Sequence, residues 1–224
     1  AREFVQKGDD ASETQTYYFA AETRKAIANA QAGIKIESHL ALVAEISEHF
    51  EKYMTSFEKV AKLKHHHDDY ISDVLDPTAD KMIIDLDGIV KDAREENNDV
   101  LANKTFEARE HAFLIQVYIG RLLLEQKEEY GEKIAHEFAV FEKTLKAMEA
   151  DIHTAHEREL YDELKELRTT YQETFEAVRQ DEIEIAHLMD TEMPKYSKVI
   201  IKDAEALEAV AAKHEHDVAA QALR

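Results

Sequence analysis

The chain has 224 residues, 44% of them apolar and including 9 Phe and 9 Tyr, which is enough for a folded core. Its net charge of −20 excludes the cationic footprint needed to bind nucleic acid or an anionic membrane surface, and its lack of cysteine excludes disulfides, thiolate catalysis and zinc-thiolate sites. Five Gly and two Pro supply little turn chemistry for hairpins or Rossmann crossovers, so an all-α fold is expected.

In chain order, the N-terminus opens inside a helical phrase, AREFVQKGD, which predicts that the start of a first long helix lies upstream. Punctuation then falls at Gly8-Asp9-Asp10, around Gly33, at Asp76-Pro77, at Tyr130-Gly131, near Asp151 to Thr154, and at Thr191 to Pro194. Asp76 before Pro77 reads as an N-cap followed by proline at the first helical position, and Thr191 to Pro194 as a looser version of it. The predicted helices cover about 12–33, 37–73, 78–129, 132–151, 156–190 and 195–224. With only Gly88 and Gly120 as weak points, the 78–129 segment would extend to roughly 80 Å as one helix. That length predicts an elongated rod of two stacked four-helix bundles sharing long helices. No run of 18 apolar residues is present, so nothing in the chain reads as a membrane span.

The chain is also written twice. Leu42, Ile46, His49, Tyr53, Phe57 and Val60 are answered 118 residues later by Leu160, Leu164, Leu167, Tyr171, Phe175 and Val178. The two prolines stand 117 apart, and Arg2 and Phe19 are answered by Arg121 and Phe138 at an offset of 119. Residues 1–117 and 118–224 are thus repeats within one elongated helical domain of 1–224. Spacings of 4, 3, 4, 4 and 3 place the second set on one narrow seam. Burying each large seam residue is worth roughly 1.5–3 kcal/mol, against tenths for an exposed Glu/Lys pair.

Arg121 lies in the apolar phrase VYIGRLLLE, where a cation is hard to keep wholly in water. Tyr118 is one turn earlier on its face, and the pair suits a small carboxylate through a bidentate guanidinium and a phenol. Arg2 is the repeat counterpart, and Arg109 lies three turns before on the same helix; the alternative is that Arg121 pairs with a core carboxylate or snorkels to the rim. Among 12 histidines, only Glu184 to His187 has the Glu-x-x-His spacing of a di-iron helix, so no metal and no cofactor is expected. His65, His66 and His67 point in three directions around a helix. His49 occupies the seam position of Leu167, as a packing residue or as part of a polar pocket with Tyr17, Tyr18 and Tyr53. There is no nucleophile with a sequence-level partner and no phosphate loop, so the chain does not read as an enzyme.

Ala1-Arg2-Glu3-Phe4 with Gly8-Asp9, the Tyr53 to Val60 helix ending, Asp76-Pro77, and Ile119-Gly120-Arg121-Leu122 together resemble the helical bimodular sensor domain of bacterial chemoreceptors and some sensor histidine kinases. The resemblance implies a periplasmic domain between two transmembrane helices, a homodimer, and two four-helix modules. It implies a small ligand, an organic acid favoured, held at Arg2 and Arg121 with Arg109 a further candidate, to which the helix-face reading adds Tyr118; a periplasmic binding protein is a further partner. Signalling would pass across the membrane by helix displacement. The alternatives are a structural or partner-binding rod of spectrin-like type, which the absence of tryptophan disfavours, and then a ferritin-like di-metal carboxylate protein.

Overall fold

The computed structural model describes the backbone of residues 3–4 and 9–222 and the side chains through Lys213. Within these residues the chain is all-α: α1 (Asp10–Gly33), α2 (Glu37–Tyr70), α3 (Asp76–Glu95), α4 (Asp99–Glu125), α5 (Glu129–Met148), α6 (Ala155–His187) and α7 (Met193–Ala222). Two π-turns, Ile71–Leu75 and Leu188–Glu192, join α2 to α3 and α6 to α7, and a 3₁₀ turn, Glu149–Asp151, follows α5.

Helix ends follow local chemistry. Asp9 caps α1 by accepting from the Ser12 N–H at 2.7 Å. Thr154 and Glu157 form a capping box at the start of α6: the Glu157 carboxylate accepts from the N–H of His153 and Thr154 at 2.8 and 2.9 Å, and the Thr154 hydroxyl accepts from the Glu157 N–H at 3.1 Å.

Two expectations are corrected here. The helix predicted over 78–129 is two helices, because Asn97 adopts φ 58 and turns the chain back. The Asn98 N–H reaches the Ala93 carbonyl at 2.7 Å in a Schellman closure, and the Asn98 side chain then caps α4 by accepting from the Leu101 N–H at 3.1 Å. The predicted break at Asp76-Pro77 is absent in turn: Asp76 is helical (φ −62, ψ −49), and its N–H bonds to the Ile71 carbonyl five residues back. Proline has no N–H and its ring collides with the carbonyl one turn earlier; the π-turn widens the helix by one residue and lets the chain pass through. The Met193 N–H repeats the arrangement with the Leu188 carbonyl before Pro194.

The chain forms two compact units, residues 1–66 with 180–224, and residues 67–179. Their boundaries fall inside α2 and α6. In the discontinuous unit Phe57 is fully buried, with the Phe4 ring edge-on at 5.8 Å and the Tyr17 ring at 5.5 Å, and Met54, Val60, Ile185, Leu188 and Met193 complete the core. In the contiguous unit, α3, α4, α5 and the first part of α6 bury Met82, Leu86, Ile89, Leu101, Ile115, Phe141 and Leu164. The seam residues Tyr171, Phe175 and Val178 are each at most 2% exposed.

The repeats are exchanged between the units. The α2–α3 arm of the first copy corresponds to the α6–α7 arm of the second, yet α3 packs on the second copy's α6 and shares a core with its α5, while α7 belongs with α1 and α2. Burial also corrects the repeat register in one place: Phe19 is 57% exposed while Phe138 is 4% exposed, and the buried counterpart of Phe138 is Ala20, at an offset of 118.

Candidate functional site

Arg121 and Tyr118 lie one turn apart near the end of α4, where Tyr118 is half-buried against the core and Arg121 is exposed. Ile119 and Leu122 turn inward, whereas Arg121 and Leu124 face solvent; the one-residue rotation of a helix separates neighbours that sequence places in one apolar phrase. The Arg121 guanidinium stands 5.9 Å from the Tyr130 ring centre. Tyr118 stacks on Tyr130 at 6.3 Å, and Lys133 lies over both rings at 5.5 and 5.1 Å. The Tyr130 hydroxyl is directed to Glu125, which also accepts from Lys127 at 2.7 Å. Arg109, three turns away, pairs with Asp87 at 2.7 Å and joins none of these groups. Arg2 lies outside the described residues.

Two other arginines line a cleft within the contiguous unit. Arg168 and Arg179, both on α6, bracket a cavity of about 250 Å³ between α5 and α6, whose apolar floor includes Ile134, Ala135, Phe138 and Phe175. The Arg168 side chain is 19% exposed; its Nη2 meets Glu142 at 2.9 Å, its Cζ lies 5.9 Å from the Phe138 ring centre, and its buried Nε has no acceptor. Arg179 pairs with Glu128. A Cβ on Gly131 would be in ordinary contact with the two terminal nitrogens of Arg179, at 3.5 and 3.6 Å, and 3.2 Å from Glu128 Oε1, so the guanidinium and its partner carboxylate lie directly over this glycine. Gln172 lies between the two arginines along α6. Glu142 is shared with Lys146 at 2.7 Å, and that bond holds its carboxyl below the usual range.

The internal repeat supplies a comparison for this cleft. At an offset of 118, Arg168, Gln172 and Arg179 stand where the first copy has Phe50, Met54 and Ala61. All three of those are core residues, 9%, 2% and 3% exposed. One copy therefore keeps an apolar packing face where the other has two guanidiniums and an amide. The stretch KELRTTYQETF looks like an ordinary solvated face in isolation; aligning the repeats at this offset exposes it.

A second cavity of about 600 Å³ in the same unit is lined by the first π-turn, the start of α3, the end of α4, and Tyr171. Asp76 and Asp80 stand at its rim, one turn apart.

The histidines carry packing and surface contacts. His65, His66 and His67 meet Glu13 at 2.8 Å, Asp181 at 2.5 Å and Asp68 at 2.8 Å, three different carboxylates. His49 is half-buried on the seam's flank, with Nδ1 2.9 Å from the Glu45 carbonyl and its ring 6.3 Å from that of Tyr196; of its expected neighbours, Tyr17 packs on Phe57 and Tyr18 is exposed. Glu184 is taken by Lys59. Among the described residues no three His, Cys, Asp or Glu side chains converge on a metal position, and no helix is long and apolar enough to cross a membrane. Neither a protein-family model nor a curated protein matches the chain.

Proposed function

We propose that this chain is the ligand-binding module of a membrane receptor, of the helical bimodular kind it resembles, and that it takes a small organic acid in the cleft between α5 and α6. The observation that carries this reading is the replacement of Phe50, Met54 and Ala61 by Arg168, Gln172 and Arg179 at matching positions of the repeat. Polar residues at packing positions cost stability unless another contact offsets it, and the Arg168 Nε still lacks an acceptor. An incoming carboxylate would fill that vacancy and take bonds now made by Glu142 or Glu128. Guanidinium is the suitable donor, since it stays charged and presents its N–H groups as a planar fork.

Signalling follows from differential affinity alone. A ligand that bridges α5 and α6 favours the packing in which both arginines reach it, and shifts the population toward that packing. The α6 helix continues from the cleft to His187 without interruption. In this reading the module is periplasmic and the kinase response lies across the membrane.

A thermal-shift screen of small mono- and dicarboxylates tests the proposal. A ligand at a hundred times its dissociation constant adds about 2.7 kcal/mol to the native state. At least one acid is expected to raise the melting temperature, with the effect lost in Arg168→Gln and kept in Arg121→Ala. A screen in which no acid acts, or an Arg168→Gln protein that responds like the parent, overturns it.

A further inference from the structure

The geometry points to a second ligand site in the contiguous unit, the 600 Å³ cavity beside the first π-turn, built for a small organic ammonium ion. Its charge is of one sign. Asp76 and Asp80 lie four residues apart on one face of α3, both exposed at the rim, and neither has an ion-pair partner among the described residues. No lysine or arginine lines the cavity.

The usual role of an aspartate at this point in a helix does not explain Asp76. Because the π-turn carries the chain through Pro77 without a break, Asp76 is not an N-cap; its own N–H is bonded to Ile71 and its side chain is left to face the cavity.

Inside the rim the cavity holds one uncommitted phenol. Tyr171 is 2% exposed, lines the cavity, and makes no hydrogen bond among the described residues. An ammonium ion offers the donor that its oxygen can accept. The remaining walls, Leu75, Ile119 and Leu123, suit a short alkyl body.

The repeat again separates site from scaffold. At the offset of 117, Asp76 and Asp80 correspond to Met193 and Ser197, so the paired carboxylates are absent from the equivalent arm of the other copy. Tyr171 has a counterpart in Tyr53, so the phenol belongs to both repeats and the charge to one.

Isothermal titration at about 0.15 M salt, where the Debye length is about 8 Å and diffuse attraction to the acidic surface is screened, decides the matter. The probes are butylammonium and its uncharged analogue n-butanol. Of the two, butylammonium alone is expected to bind, at least tenfold more weakly to the Asp76→Asn, Asp80→Asn double variant and severalfold more weakly to Tyr171→Phe. Arg168→Gln leaves this binding unchanged, which separates it from the carboxylate cleft. Equal binding of n-butanol, undiminished binding to the double variant, or no binding of butylammonium overturns the assignment.

Discussion

Replacing Arg168 by phenylalanine, the residue at the matching position of the other repeat, is expected to make the protein more stable while removing its response to carboxylates. Position 50 shows that the fold accepts phenylalanine there, since Phe50 is 9% exposed. Full burial of such a side chain is worth roughly 1.5–3 kcal/mol, of which the aliphatic stem of Arg168 already supplies about half. Removing the guanidinium relieves the buried Nε, at about 1 kcal/mol or more. Against this, the bridge to Glu142 is lost, worth up to about 1 kcal/mol with the Glu142 side chain 43% exposed and still held by Lys146. The contact with Phe138 adds a loss of about 0.5–1 kcal/mol. The balance is a gain of about 1 kcal/mol. Equilibrium urea unfolding measures it: with a slope of about 2 kcal/mol per molar, the midpoint moves up by roughly 0.5 M. A fall in the midpoint of that size would show that Arg168 holds the helices together, and the inference from the repeat would fail.

Asn98→Ala removes both the cap on α4 and the bond from the side-chain amide to the Asp151 carbonyl at 2.7 Å, so a loss of about 1–2 kcal/mol is expected in urea unfolding; Asn98→Asp, which keeps the capping oxygen alone, is expected to lose about half. An equal loss in both variants would assign the whole effect to the amide. Burial, with a smaller contribution from Asp76, pushes the Tyr171 hydroxyl well above its ordinary value of 10.0. The folded state therefore keeps a proton that the unfolded chain releases, and stability present below about pH 10 falls by about 1.4 kcal/mol per pH unit above it. Tyr171→Phe is expected to flatten that alkaline decline, as followed by urea midpoints between pH 9 and 11; an unchanged slope would mean the phenol is hydrated in the folded protein.

The fold class and the seam were legible because Tyr171, Phe175 and Val178 repeat at helical spacing and are large enough for their burial to decide the packing face. The hairpin at Asn97 was not. Glu95-Glu96-Asn97-Asn98 contains neither Gly nor Pro, and its turn rests on the ability of asparagine to adopt the left-handed conformation and then to cap. Pro77 misled in the opposite direction, because a π-turn absorbs what an α-helix cannot. Arg121 drew attention through its apolar neighbours, whereas Arg168 and Arg179 sit among Glu, Thr and Gln that mask a core-facing position. Only burial separates the two cases, and burial depends on which helices come together.

The exchange of arms between the repeats sets an order in time. Residues 67–179 form a contiguous unit and find all their partners as soon as that stretch has left the ribosome. Residues 1–66 emerge first, yet their unit lacks α7 until the last segment is made. At about 5–20 residues per second, α1 and α2 wait roughly 8–30 s for the strip of apolar surface that covers Phe57 and Met54. The unit whose first helices precede the contiguous one in the chain is therefore the unit completed after it.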